Sequence, residues 1–177
     1  AVAVYQGNPT VHNVGSMLFA PPFFRSLGTR NRFSATSVDQ LPHHFVSYFL
    51  FGHQMALAVP DIDRTQHMLM LGANPLVSGG SLMSAPGMRK RIKALQARGG
   101  TLTVIDPRRT ETARKADKHH FIIPGRDGLL LAALVHHVLC ESTPRRTRIS
   151  EHLVGLDRLK AAISGFSADR VADSVGI

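Results

Sequence analysis

The residues best suited to chemistry in this sequence stand in short polar loops that follow apolar runs. In "HMLMLGANPLVSGGSL" (67–82) an apolar run stops at Gly72, and Asn74, Ser78 and Ser81 come after it. A glycine there permits a sharp turn and a close backbone approach to a phosphate. The asparagine amide and the serine hydroxyls add hydrogen-bond donors. "VIDPRRTETA" (104–113) sets Asp106 at the tip of a β-branched run, where an acidic side chain accepts from ribose hydroxyls. Arg108 and Arg109 beside it can neutralise phosphate. In "PGRDG" (124–128) Asp127 can cap a helix or take two N–H donors from the N1 and N2 edge of a guanine. A further loop, "GNPTVHN" (7–13), follows the first apolar run. Gly, Asn, Pro, Ser and Asp are also ordinary turn formers, so each loop taken alone reads equally as turn chemistry.

The elements that must position these loops alternate. Strand-like runs at 1–5, 67–71, 101–105 and 121–123 are each followed by a helical pattern, at 14–27, 85–98, 110–116 and 127–140. Such alternation predicts an α/β fold, a three-layer Rossmann-like parallel sheet flanked by helices. Ligands of open α/β sheets bind outside the carboxyl ends of the strands, where all four loops fall. Met88, Ile92 and Leu95 form one apolar helical face, and Arg89, Lys90, Arg91, Lys93 and Arg98 read as the solvated side of that helix. The 127–140 helix is apolar nearly all round, so it is buried or faces another domain. Residues 1–140 form the expected nucleotide-binding domain, with a loop-rich insertion at about 30–65 that holds one helix near 41–51. Residues 141–148 read as a linker to two short helices, at 149–163 and 167–175.

Bulk properties narrow the partners. The chain has 177 residues and an excess of nine basic over acidic side chains, which favours anionic partners. There is no RNA-binding aromatic run and no zinc knuckle, and aromatic residues make up only 6%, so neither nucleic acid nor membrane is an expected partner. The single cysteine, Cys140, excludes an internal disulfide framework or a cysteine metal cluster within these residues and suits a reducing, cytoplasmic setting. "AVAVYQGNP" is no signal peptide, and it begins inside a strand-like run, as a piece of a longer chain would. No G-x-G-x-x-G, P-loop or G-x-S-x-G pattern supports an ordinary dinucleotide, NTPase or hydrolase reading.

In this order, "VYQGNPTVHN" (4–13), "LGANP" (71–75) with Ser78, "VIDPRRTETARKAD" (104–117) and "HFIIPGRDGLLLAAL" (120–134) resemble the molybdopterin oxidoreductase family of formate dehydrogenases, nitrate reductases and dimethyl sulfoxide reductases. The resemblance spans essentially residues 1–140. It implies a fragment of a larger multidomain catalytic subunit that binds the guanine dinucleotide tail of a molybdopterin cofactor carrying molybdenum or tungsten. Carried onto this chain, Gly72 and Asn74 face the pyrophosphate, Asp106 the ribose and Asp127 the guanine. Counting back from Phe51-Gly52, as the family's spacing suggests, reaches Asp39. That residue is either a hard-oxygen metal ligand or a cap for the helix that begins near Leu41. The family's iron–sulfur segment and its closing barrel-like domain are expected outside these residues. The implied partners are the remaining domains of the subunit and electron-transfer subunits, and the isolated chain is expected to be folded but inactive. The alternative is an α/β module for another nucleotide, without metal.

Overall fold

The computed structural model describes residues 2–7, 10, 12–80, 83, 85–142, 147–148 and 150–177. Asn8, Pro9 and Val11 of the first loop, Ser81, and linker residues 143–146 lie outside the described residues. Contacts divide the chain into two units, 1–59 and 60–177.

The first unit is a single βαβ crossover with a helical extension. Strand β1 (Val4–Gln6) pairs in parallel with β2 (Arg32–Ser34), and helix α1 (Val14–Ser26) joins them. Asn13 starts α1, its Oδ1 accepting from the Ser16 N–H at 2.8 Å. A 3₁₀ turn (Ala35–Val38) leads into α2 (Leu41–Phe51), which ends at the left-handed Gly52. The loop-rich stretch is therefore more ordered than its composition suggests, and β2 was not foreseen. Few of its apolar side chains are covered: Phe19, Phe45, Phe49 and Leu50 are all exposed.

The second unit holds the main sheet. Strands β3 (His67–Leu71), β4 (Thr101–Ile105) and β5 (Lys118–His120) are parallel and lie in that order. Leu71 stands opposite Ile105, and Ile105 opposite His120, so all three strands end at one edge. Alternate side chains of β4 point to opposite faces. Leu102 and Val104 pack with Met70 against Met88, Ile92 and Leu95 of α4 (Met88–Ala97), the apolar face expected from the sequence. Ile105 packs on the other face with Ile122, Ala133 of α5 (Asp127–His136), and Val171 and Val175 of α7 (Ala168–Val175). Helix α6 (Leu156–Ile163) also rests on α5. The two covered faces make the three-layer parallel α/β arrangement. The short helix α3 (Pro75–Ser78) follows β3 at the shared edge.

Two expectations are corrected. The last strand is Lys118–His120 and not 121–123. The polar "KHH" run pairs with Thr103–Ile105, and the Nε2 of His119 donates to the Asp106 carbonyl at 3.1 Å. Residues 121–123 continue as extended chain: Ile122 enters the core and the Ile123 N–H reaches the Val175 carbonyl at 2.9 Å. The helix expected at 110–116 is a short 3₁₀ turn, Ala113–Lys115. Helix α5 is apolar nearly all round, as its sequence suggests, and it buries only part of that surface. Leu131, Leu134, Val135 and Val138 stay exposed, the last in the π-turn His137–Glu141 that extends it.

Candidate functional site

The shared carboxyl edge of β3, β4 and β5 carries Gly72, Asn74, Ser78, Asp106 and Arg108. Gly72 leaves β3 with φ +58°, and a Cβ built on it would meet nothing within 4 Å. Its left-handed backbone, rather than crowding, calls for glycine. The Gly72 N–H is held by the Ile105 carbonyl at 2.9 Å, which ties the loop to β4. Beyond it the loop consumes most of its own donors. The N–H groups of Val77 and Ser78 go to the Asn74 carbonyl, that of Gly79 to the Pro75 carbonyl and that of Gly80 to the Ser78 hydroxyl. Among the described residues, the main-chain N–H groups of Ala73 and Asn74 are left without an acceptor.

The side chain of Asn74 has a different task from the one its type suggests. As the residue before α3 it would ordinarily accept from that helix's first N–H groups. It makes no such bond. Its Oδ1 accepts from the Thr112 N–H (3.1 Å) and the Thr112 hydroxyl (2.7 Å), and its Nδ2 donates to Glu111 Oε2 (2.8 Å). Thr112, 0% exposed, accepts in turn from the Leu76 N–H at 3.2 Å and so caps α3 from another loop. The Ser78 hydroxyl donates to the Asn74 carbonyl at 3.3 Å.

Asp106 follows β4 and is 7% exposed. Its N–H donates to the His120 carbonyl, and its Oδ1 accepts from the Arg108 N–H at 2.8 Å. That turn sends the Arg108 and Arg109 side chains outward, and both residues are exposed. Glu111 lies where the two loops meet. Its own main-chain N–H, then the Asn74 amide, hold its carboxyl below the usual glutamate range, and Arg108 and Arg114 add to this against the opposing effect of desolvation. Sequence reading passed over Glu111 and Thr112, whose partners lie 37 and 38 residues away and leave no local signal.

Asp127 is the first helical residue of α5, and Arg126 occupies the capping position without a side-chain bond. The capping role expected for Asp127 is therefore not filled by its side chain. Asp127 is half-buried at the helix N-terminus, where a carboxylate is favoured. Asp39 ends the 3₁₀ turn of the first unit and is exposed. The capping position of α2 is Gln40, whose side chain makes no capping bond. Among the described residues no group of three or more His, Cys, Asp or Glu side chains is arranged to hold a metal ion.

No family model matches the chain. The chain is 27% identical over 123 residues to formate dehydrogenase H of Escherichia coli, which covers 70% of this chain and 16% of that protein. It is 28% identical over 159 residues to the assimilatory nitrate reductase of Haloferax mediterranei, covering 89% of this chain and 21% of that one. Its fold matches the solved acetylene hydratase from Pelobacter acetylenicus with a TM-score of 0.65 at 24% identity, over 87% of this chain and 20% of the other. The chain thus spans about a fifth of the length of these proteins. The homologues of this chain, with its "LGANP" and "DPRRTETA" loops side by side at one sheet edge, are thus formate dehydrogenase, nitrate reductase and acetylene hydratase, proteins of the molybdopterin oxidoreductase family.

Proposed function

We propose that these residues are the part of a molybdenum or tungsten oxidoreductase subunit that holds the guanine dinucleotide tail of a molybdopterin cofactor. The observation that carries this reading is the convergence of the Gly72 and Asp106 loops at the carboxyl edge of a parallel sheet, with β5 ending beside them before Asp127. The residues present suit such a group. Gly72 offers an open, left-handed turn, and the Ala73 and Asn74 N–H groups face no internal acceptor among the described residues. Asp106 keeps one carboxylate oxygen beyond the one bound to Arg108, enough to accept from a ribose hydroxyl.

Each residue then has a definite task. Ala73 and Asn74 bind pyrophosphate oxygens through the main chain, with Ser78 beside them, and Arg108 and Arg109 neutralise the charge. Asp106 orients the ribose. Asp127, at a helix N-terminus, accepts from the guanine N1 and N2 donors, a pair that adenine does not present. The cofactor, once bound, supplies the redox chemistry, and the protein orients it. Asp39 is the candidate metal ligand in the first unit. An iron–sulfur cluster belongs in this reading to a part of the subunit outside these residues, as do the remaining domains and electron-transfer subunits it would meet. Formate dehydrogenase- or nitrate reductase-like activity is assigned to the whole subunit.

The test is Asp127→Asn in the whole subunit. The expected result is a lower content of guanine released by acid from the purified protein, because one of two charge-assisted bonds becomes a mismatched donor. Unchanged guanine per subunit would remove Asp127 from the site.

A further inference from the structure

The Asn74 carboxamide is fully committed at its oxygen. Oδ1 accepts two hydrogen bonds from Thr112, which uses both of its lone pairs. Nδ2 donates to Glu111, and Glu111 Oε1 lies 3.9 Å from the Arg114 guanidinium. The capping bond that Asn74 would normally give α3 is supplied by Thr112 instead. An asparagine diverted from its own helix and a carboxylate set beside an anion-binding loop both need an explanation. Glu111 opposes any nearby phosphate unless its charge is taken up, and here Asn74 and the flanking arginines take it up. Together these bonds tie the loop after β3 to the loop after β4 at a fixed separation.

We propose that Asn74, Glu111 and Thr112 form a positioning clamp that sets the spacing of the two loops, and that Asn74 serves the nucleotide tail through this clamp and its main chain rather than its side-chain amide. The proposal rests on the cofactor-tail reading above. It differs from the sequence expectation, in which the Asn74 amide itself reached a phosphate.

The experiment swaps donor and acceptor across the 2.8 Å Asn74–Glu111 bond. Whole-subunit protein is purified as wild type, Asn74→Asp, Glu111→Gln and the double variant. Guanine retained per subunit after prolonged dialysis is measured alongside the thermal midpoint. Asn74→Asp sets two carboxylates against each other, and retained guanine is expected to fall about tenfold, the scale of one lost hydrogen bond. Glu111→Gln keeps an acceptor for Asn74 and should stay near wild type. The double variant restores a donor–acceptor pair and should recover guanine content. Recovery of folding or thermal midpoint without guanine would overturn the clamp and assign the Asn74 amide to the ligand directly. An Asn74→Asp variant with full guanine would overturn it as well. If Asn74→Asp alone does not fold, the double variant still decides by the same comparison. Wild-type protein without guanine would instead remove the cofactor-tail reading itself.

Discussion

Gly100→Ala tests the joint that aims β4, and with it Asp106, at the sheet edge. A Cβ at this position would lie 2.3 Å from Leu95 Cδ1, 2.9 Å from the Leu95 carbonyl oxygen and 3.0 Å from the Gln66 carbonyl oxygen. The methyl group could swing aside, but Leu95 is fully buried in the core between α4 and the sheet. The two carbonyls cannot retreat without cost. One accepts from the Gly100 N–H at 2.9 Å and the other from the Thr101 N–H at 2.8 Å, the bonds that end α4 and start β4. Overpacking of this kind costs about 1–3 kcal/mol, and a weakened hydrogen bond adds about 1 kcal/mol. A total near 3 kcal/mol shifts an equilibrium about a hundredfold. Gly99→Ala is the control: φ is +83° there, but nothing lies within 4 Å, so only the left-handed backbone counts, about 1–2 kcal/mol. Hydrogen-exchange mass spectrometry of peptides covering 88–105 reads both. Protection in β4 should drop further in Gly100→Ala than in Gly99→Ala. Equal or reversed losses would refute the crowding argument.

Acidification should loosen the junction of the two loops. The carboxyl of Glu111 is depressed by its own main-chain N–H and then by Asn74, so its contribution is present above the ordinary glutamate range and disappears as pH falls below it. The NMR signal of the Asn74 side-chain amide, followed against pH, should titrate there, and in Glu111→Gln it should not. Asp127→Ala in the 177-residue chain should cost about 0.3–1 kcal/mol, a helix-dipole effect, since Asp127 makes no capping bond. Urea denaturation measures it, and a loss above 2 kcal/mol would mean that Asp127 has a further partner. The 177-residue chain alone should turn over neither formate nor nitrate, and measurable turnover of either would overturn its reading as one part of a larger site.

Local pattern carried most of the second unit. The spacing of Met88, Ile92 and Leu95 identified the buried face of α4, and the runs 67–71 and 101–105 became strands with unchanged bounds. Their loops then had to share an edge, because parallel strands end together. The third strand was misplaced because apolarity was taken as its marker. At the edge of the sheet, polar Lys118–His120 can pair while apolar Ile122 is taken into the core beyond it. Asn74 was recognised, but its bonds to Glu111 and Thr112 were not. A carboxamide's role depends on what stands across from it, and Glu111 and Thr112 arrive there only through tertiary folding. The first unit was least legible, since Arg32–Ser34 is too short a strand to show alternation.

The two faces of β4 are completed by segments far apart in the order of synthesis. The face bearing Leu102 and Val104 needs nothing beyond Ala113 and Ala116, whereas Ile105 and Ile122 wait for Val171 and Val175. At about 5–20 residues per second, a ribosome needs several seconds to make the stretch between Ile122 and Val175. During that interval one face of the nascent sheet is closed, while the other has α5 but still lacks α7. Chaperone capture or sticking between neighbouring nascent chains should concentrate on the Ile105 side. Ribosome-bound chains arrested before residue 168 should expose it to an apolar dye, and chains arrested well after 177, with α7 clear of the exit tunnel, should not.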